Sequence, residues 1–166
     1  MFAKREIKIF PLVLKDIEIE EECVSPNEII PGLFLSSFKI ARDINKLQEL
    51  NIKGIINVTK DILNYHEDKG IKYCNIPIND SWTDNIIDYF DTTHKFIDEH
   101  LNRGENVLVH CFAGISRSAT IVISYLMKKN NSNYKEAYKI VKTKRNKIEP
   151  NLSFIGQLFV YEKRII

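Results

Sequence analysis

The sequence predicts an α/β domain built on a largely parallel sheet. Two patterns and a size carry that expectation. Short apolar runs rich in β-branched residues alternate along the chain with stretches whose apolar residues recur at helical spacing. Proline, glycine and asparagine punctuate the joins between them. The 166 residues fit one domain, long enough to bury a core without disulfides or metals to staple it.

Residues 1–25 differ from the rest: Ile7 and Ile9 alternate with polar residues, and an acidic stretch runs over 18–22. They read as an extension that either adds a strand or stays mobile. From Asn27 the α/β alternation begins. Residues 29–35 predict a strand interrupted at Pro31-Gly32, and 38–50 a helix through Ala41, Ile44, Leu47 and Leu50. Strands follow over 54–59 and 71–78. A helix over 84–101 gathers Ile86, Ile87, Phe90, Ile97 and Leu101 on one side. Residues 107–110 form a third buried strand, and 116–129 a helix with Ile121, Val122, Tyr125 and Leu126 inward. Asn133 with Glu136 resembles a capping box opening a helix over 134–145. Pro150-Asn151 opens a last helix, with Leu152, Ile155, Leu158 and Phe159 expected inward.

Composition excludes several classes. Lys+Arg is 24 against Asp+Glu 22, a net charge of +2, far from the basic excess of a dedicated nucleic-acid binder. No apolar run approaches the length of a membrane span. The first residues lack the apolar stretch of a secretion signal, and Phe2 stands where myristoylation needs glycine. Cys23, Cys74 and Cys111 form no CxxC pair, and an odd, widely spaced set does not suggest a disulfide framework. A reducing compartment is expected, the cytoplasm first and the nucleus second. Isoleucine, lysine and asparagine are abundant throughout, so lysine clusters carry little weight.

One segment sits where a parallel sheet places ligands, between a buried strand and the start of a helix: His110-Cys111-Phe112-Ala113-Gly114-Ile115-Ser116-Arg117-Ser118. A five-residue loop between Cys111 and Arg117 can curl so that successive N–H groups point inward beside a positive helix end, which makes an anion site. Gly114 supplies conformational freedom. Arg117 offers a bidentate grip on phosphate oxygens. Cys111 sits at the base, where a positive field favours a nucleophilic sulfur. A phosphomonoester, carrying about −1.5 to −2 charges, matches that cradle.

At these residues the sequence resembles the dual-specificity protein phosphatases of the cysteine-dependent protein tyrosine phosphatase superfamily, in their small atypical form without an added regulatory domain. Residues 107–120 match the family signature. Residues 29–35, 55–59, Asn79-Asp80-Ser81 with Asn85, Ile86 and Phe90, Ser124-Tyr125-Leu126-Met127, and Glu149-Pro150-Asn151 with Phe154, Gln157 and Leu158 resemble its other elements. The resemblance implies a central five-stranded, mostly parallel sheet flanked by helices, an N-terminal extension over 1–26, a catalytic domain over 27–166 and no cofactor. It implies hydrolysis of phosphotyrosine, phosphoserine and phosphothreonine in proteins.

The resemblance also assigns roles. Cys111 is the nucleophile that forms a phosphocysteine. Arg117 and the backbone of Phe112, Ala113, Gly114, Ile115 and Ser116 bind the phosphate. Ser118 eases departure of the thiolate, and His110 orients the loop and helps set the thiol's acidity. Asp80, 31 residues ahead of Cys111, is the expected general acid, with Asp84 the competitor at an expected helix cap. The partners are phosphorylated proteins, kinases among the candidates, with neither nucleic acid nor membrane.

Weaker features remain. His66, His94 and His100 show no metal spacing and read as surface residues. Cys74 reads either as plain core or as an oxidative partner of Cys111. Lys139, Lys142, Lys144, Arg145 and Lys147 read either as a basic rim or as a solvated face. Lys4-Arg5 followed by Leu12-x-Leu14 faintly resembles a kinase-docking peptide. A phosphoinositide, glucan or RNA 5′-phosphatase and a non-hydrolysing phosphoprotein binder are the competing functions. Phe112, Ala113, Ile115 and Ser116 add no charge for a polyanion, and the presence of Cys111, Arg117 and Asp80 weighs against mere binding.

Overall fold

The computed structural model describes residues 25–166. The expectations for residues 1–24, including the acidic stretch, Cys23 and the docking-like pattern, lie outside these residues. Five strands, β1 (Asn27–Ile30), β2 (Leu33–Ser37), β3 (Ile52–Asn57), β4 (Lys72–Asn75) and β5 (Asn106–Cys111), form one sheet in the order β1-β2-β5-β3-β4. Only the β1–β2 pair is antiparallel. Among the described residues six α-helices flank it: α1 (Phe38–Arg42), α2 (Ile44–Glu49), α3 (Phe90–Leu101), α4 (Arg117–Asn130), α5 (Tyr134–Lys144) and α6 (Leu152–Ile165). The α/β class and the mostly parallel sheet are as the sequence predicts.

Four elements differ from expectation. The helix over 84–101 is α-helical only from Phe90, preceded by a 3-10 turn over Ile86–Tyr89, and Asp84 is not its cap. Residues 29–35 are not one strand but a hairpin. Pro31 presets the turn, and Gly32 takes a φ of 82° where a Cβ would lie 2.8 Å from Leu101 Cδ2, so the chain reverses there. The helix over 38–50 is two, because Asp43 leaves helical geometry and its side chain accepts from Lys46 N–H (3.1 Å), capping α2. The strand over 71–78 pairs only to Asn75. Beyond it Ile76 N–H still bonds Asn57 O (2.9 Å), but Pro77 has no N–H to continue a ladder.

The sheet separates two apolar cores. Alternate residues of β5 divide between them: Val107 and Val109 join Ile121, Phe154 and Leu158 on one side, and Leu108 joins Leu47 and Ile55 on the other. Helix α4 is buried from Ser118 to Met127, polar residues included. Thr120 and Ser124 satisfy their hydroxyls on the carbonyls of Ser116 and Ile121. The capping box at Asn133 and Glu136 is present. In α6 the inward set is Phe154, Leu158 and Tyr161, whereas Leu152 and Phe159 are exposed. The expected inward set thus holds at Leu158, which is buried, and in part at half-buried Ile155, and fails at Leu152 and Phe159.

His94 and His100 are buried, not surface residues. His94 packs against Phe90, Tyr125 and Tyr161. The Ser124 hydroxyl already donates to Ile121 O, so His94 Nε2–H donates to Ser124 (2.9 Å) and Nδ1 accepts from Tyr161 (3.4 Å). Burial pushes its pKa down to about 4, which keeps the ring neutral. His100 bonds Phe96 O (2.8 Å), and half-buried His66 bonds Arg42 O (2.9 Å). Among the described residues no helix is long and apolar enough to cross a membrane.

Candidate active site

The parallel strands end together. In register Ser37 lies beside Cys111, and Asn57 beside both His110 and Asn75. Cys111 is the last residue of β5, Arg117 the first of α4, and five residues join them. The shape of that join follows from what holds its carbonyls. Phe112 O accepts from Phe38 N–H (3.4 Å) and Ile115 O from Glu149 N–H (2.9 Å). Ala113 O and Gly114 O accept from Arg145, at 3.4 and 2.8 Å. Four successive carbonyls are thus tied outward. A trans peptide points its N–H opposite its C=O, so the amides of Ala113, Gly114, Ile115 and Ser116 turn into the bowl. Gly114 permits the curl: its φ is +68°, and a Cβ there would lie 2.5 Å from the Ser36 carbonyl.

Arg145 is not part of a basic rim. It is 2% exposed, and its guanidinium also reaches Asn27 Oδ1 (2.6 Å) and Ser25 O (3.5 Å). A rigid fork of five donors suits a site with four acceptors fixed around it. Of the other four, Lys139 and Lys144 are exposed, and Lys142 bonds Ile148 O (2.9 Å).

Inside the bowl, Cys111 Sγ accepts from Gly114 N–H (3.2 Å) and from the Ser118 hydroxyl (3.1 Å). Both bonds use the sulfur as acceptor, a role stronger for an anion than for a neutral group. Arg117 donates from Nη1 to Ile78 O (3.2 Å). Its Nε is buried without a partner among the described residues, a donor that a phosphate oxygen matches. His110 is 1% exposed and its Nδ1 sits 3.4 Å from Cys111 O. Burial, with a smaller effect from the Arg117 charge, pushes its pKa down to about 4. A neutral His110 adds no positive charge beside the sulfur; it acts on the main chain of Cys111.

Asp80 stands in the loop after β4. Its Oδ1 accepts from Ser116 Oγ (2.8 Å) and Asn151 Nδ2 (2.7 Å), and Ser116 Oγ in turn accepts from Asn151 N–H (3.0 Å). Its Oδ2 has no hydrogen-bond partner among the described residues, so it is the oxygen open to a reacting group. Asp84 differs. Both its oxygens close the loop, one on Asn79 N–H (3.3 Å) and one on the Ser81 hydroxyl. The start of α6 holds the same loop: Ser153 Oγ donates to Trp82 O (3.2 Å), and Gln157 bridges Asp84 O (2.9 Å) and Ile87 N–H (3.0 Å).

The structure therefore brings Cys111, Arg117, Ser118, His110 and Asp80 to one end of the sheet. It does not bring Cys74. Cys74 pairs with Ile56, which pairs with Val109, two residues short of Cys111. Two strand spacings and two residues of rise separate the cysteines by about 12 Å, beyond disulfide reach. Cys74 is free and half-buried, and burial raises its thiol pKa. Sequence reasoning missed Arg145, Asn151 and Gln157 as supports. Arg145 was hidden among lysines, and Asn151 and Gln157 read as helix punctuation and family resemblance without a role in the site.

Comparison with known proteins adds a family. The family model described as "Dual specificity phosphatase, catalytic domain" matches residues 33–164. The human "Dual specificity protein phosphatase 6" is 44% identical over 141 residues, covering 84% of this chain and 37% of that protein. The Xenopus laevis "Dual specificity protein phosphatase 1-A" is 42% identical over 141 residues, covering 85% and 38%. The chain thus spans little more than a third of these relatives. Among solved structures, a human tyrosine phosphatase-like serine/threonine/tyrosine-interacting protein superposes with a TM-score of 0.79 at 37% identity, covering 84% of this chain and 96% of that one. Human DUSP28 superposes with a TM-score of 0.80 at 26% identity, covering 84% and 94%.

Proposed function

The chain belongs to the dual specificity phosphatase family, and from that premise we propose that it hydrolyses phosphotyrosine, phosphoserine and phosphothreonine in proteins through a phosphocysteine. One observation carries the reading: four outward-tied carbonyls turn four amides toward a sulfur that already accepts two hydrogen bonds. Such a bowl binds a tetrahedral dianion and sets a nucleophile beneath its phosphorus.

In the first step Cys111 Sγ forms a bond to phosphorus as the bond to the leaving oxygen breaks, and Asp80 Oδ2 delivers the proton to that oxygen. General-acid help of this kind is worth about 10²–10⁴-fold. Arg117 and the amides hold the equatorial oxygens, where preorganised donors count most. In the second step Asp80 takes a proton from water, the water oxygen bonds phosphorus, and sulfur departs as a thiolate with the Ser118 hydroxyl donating to it.

Phosphorylated kinases are the protein substrates to try first, on the Lys4-Arg5 and Leu12-x-Leu14 pattern. A cytoplasmic or nuclear location belongs to the same proposal, supported by the odd cysteine count. The deciding experiment is hydrolysis of p-nitrophenyl phosphate and of phosphotyrosyl and phosphothreonyl peptides, with trapping of a phosphoenzyme. Turnover of both peptide types, lost in Cys111→Ser, is expected. A Cys111→Ser protein with undiminished turnover defeats the mechanism.

A further inference from the structure

We propose that the cleft beside Asp80 is a subsite for a large apolar side chain flanking the phosphorylated residue of a polypeptide substrate. The proposal rests on the phosphatase reading above and names what that site selects.

The cleft lies between the loop after β4 and the start of α6, has a volume of about 640 Å³, and is lined by Asp80, Ser81, Trp82, Asn151, Leu152 and Ser153. That volume lies within the range of small-ligand sites. Trp82 and Leu152 are the two most exposed large apolar side chains among the described residues, each at 87%. Leaving two such groups in water forgoes the burial that apolar side chains normally gain, and their pairing on one cleft marks a binding surface rather than scattered exposure.

The walls are tied even though these side chains are free. Ser153 Oγ holds Trp82 O at 3.2 Å, and Asn151 Nδ2 holds Asp80 Oδ1 at 2.7 Å. The walls therefore meet a ligand without first having to order. Continuity identifies the occupant. Asp80, whose free Oδ2 faces the leaving group in the mechanism, also lines the cleft, so whatever adjoins the leaving group enters it. Charge narrows the occupant further. No lysine or arginine lines the cleft, and its one ionisable group is a carboxylate. A second phosphate or an acidic flank is disfavoured there, and an apolar flank is favoured.

The chain contains one tryptophan, Trp82, which makes the subsite directly visible. Cys111→Ser protein is titrated with phosphotyrosyl peptides that differ only in flanking residues, leucine or phenylalanine against serine. Saturation with the apolar-flanked peptides is expected to shift tryptophan emission to shorter wavelength, with affinity about tenfold above the serine-flanked peptide. Leu152→Ser in the same background should erase most of that difference. Equal affinities with no emission shift overturn the subsite. Hydrolysis of p-nitrophenyl phosphate by the unaltered protein separates the two readings. Turnover without peptide discrimination removes the subsite alone; absence of turnover removes the phosphatase reading and the subsite with it.

Discussion

Arg145 Nε donates to Gly114 O at 2.8 Å, across 31 residues of sequence. This bond links the end of α5 to the back of the loop between Cys111 and Arg117. It means that a buried cation shapes the loop from behind, while Arg117 keeps an Nε without a partner among the described residues.

Replacing Arg145 with methionine tests that link. The carbonyls of Ala113 and Gly114 and the side chain of Asn27 would lose their donor, and unsatisfied buried acceptors cost about 1–3 kcal/mol each. A stability loss of several kcal/mol is expected in urea unfolding. The amides would lose their aim as well, and misplacement by about 1 Å can cost about 10²-fold in rate. Arg145→Lys should recover part of the stability, because one ammonium cannot replace the fork. Unchanged kcat in Arg145→Met would show that the loop holds its shape alone.

Gly114→Ala probes the same loop from the front. The added methyl would meet the Ser36 carbonyl carbon and oxygen at 2.5 Å, with φ at +68°. The neighbour is backbone of β2, a strand paired on both sides, and cannot yield cheaply. Activity should fall by about 10²-fold or more, through loss of amide alignment rather than of any catalytic group. The check is kcat for an aryl phosphate in the folded variant; a fall of less than threefold would mean that the loop tolerates a different curl.

Much of this site was legible in the sequence, for a physical reason. Cys111, Gly114 and Arg117 lie within one short segment between a buried strand and a helix, so local pattern places them. Asp80 was legible through family resemblance, with Asp84 set aside only by its place at an expected helix cap. The structure separates them by where their oxygens go: both of Asp84's into its own loop, one of Asp80's into none. The supports were not legible. Arg145, Asn151 and Gln157 act across 31 to 73 residues, and no local periodicity reports such pairs. The break at Pro31-Gly32 was legible, but not that the chain reverses there into an antiparallel pair, which the φ of Gly32 accomplishes after Pro31.

Asp80→Asn should separate the two carboxylates functionally. It keeps the acceptor for Ser116 and Asn151 but removes the transferable proton. The fall in kcat should be about 10²–10⁴-fold for a phosphoserine peptide, whose alkoxide leaves poorly, and smaller for p-nitrophenyl phosphate. Asp84→Asn should instead loosen the loop, lowering stability with a modest effect on kcat and no loss of the alkaline limb of the pH profile, the limb a general acid produces as it deprotonates. The reverse pattern, with Asp84→Asn the more damaging to kcat, would transfer the role.

The buried histidines set how stability responds to acid. His94 and His110 each have a pKa pushed from 6.5 down to about 4, chiefly by burial. In the unfolded chain both protonate near 6.5, so between about pH 4 and 6.5 the unfolded state binds more protons than the folded one. Stability must then rise with pH through that window, be fully present above it, and be lost as pH falls toward 4. Each ring contributes roughly 3 kcal/mol at full effect. Around His94, Lys128 pushes the same way as burial, and Asp91 and Asp98 oppose it. His94→Gln is expected to lower stability at pH 7, because the ring packs among Phe90, Tyr125 and Tyr161, yet to flatten the slope between pH 4 and 6.5 by about half. Urea unfolding at a series of pH values reads both. A slope unchanged in His94→Gln would show that His94 is already protonated in the folded protein, and its hydrogen bond from Tyr161 to Nδ1 would then have to be reversed.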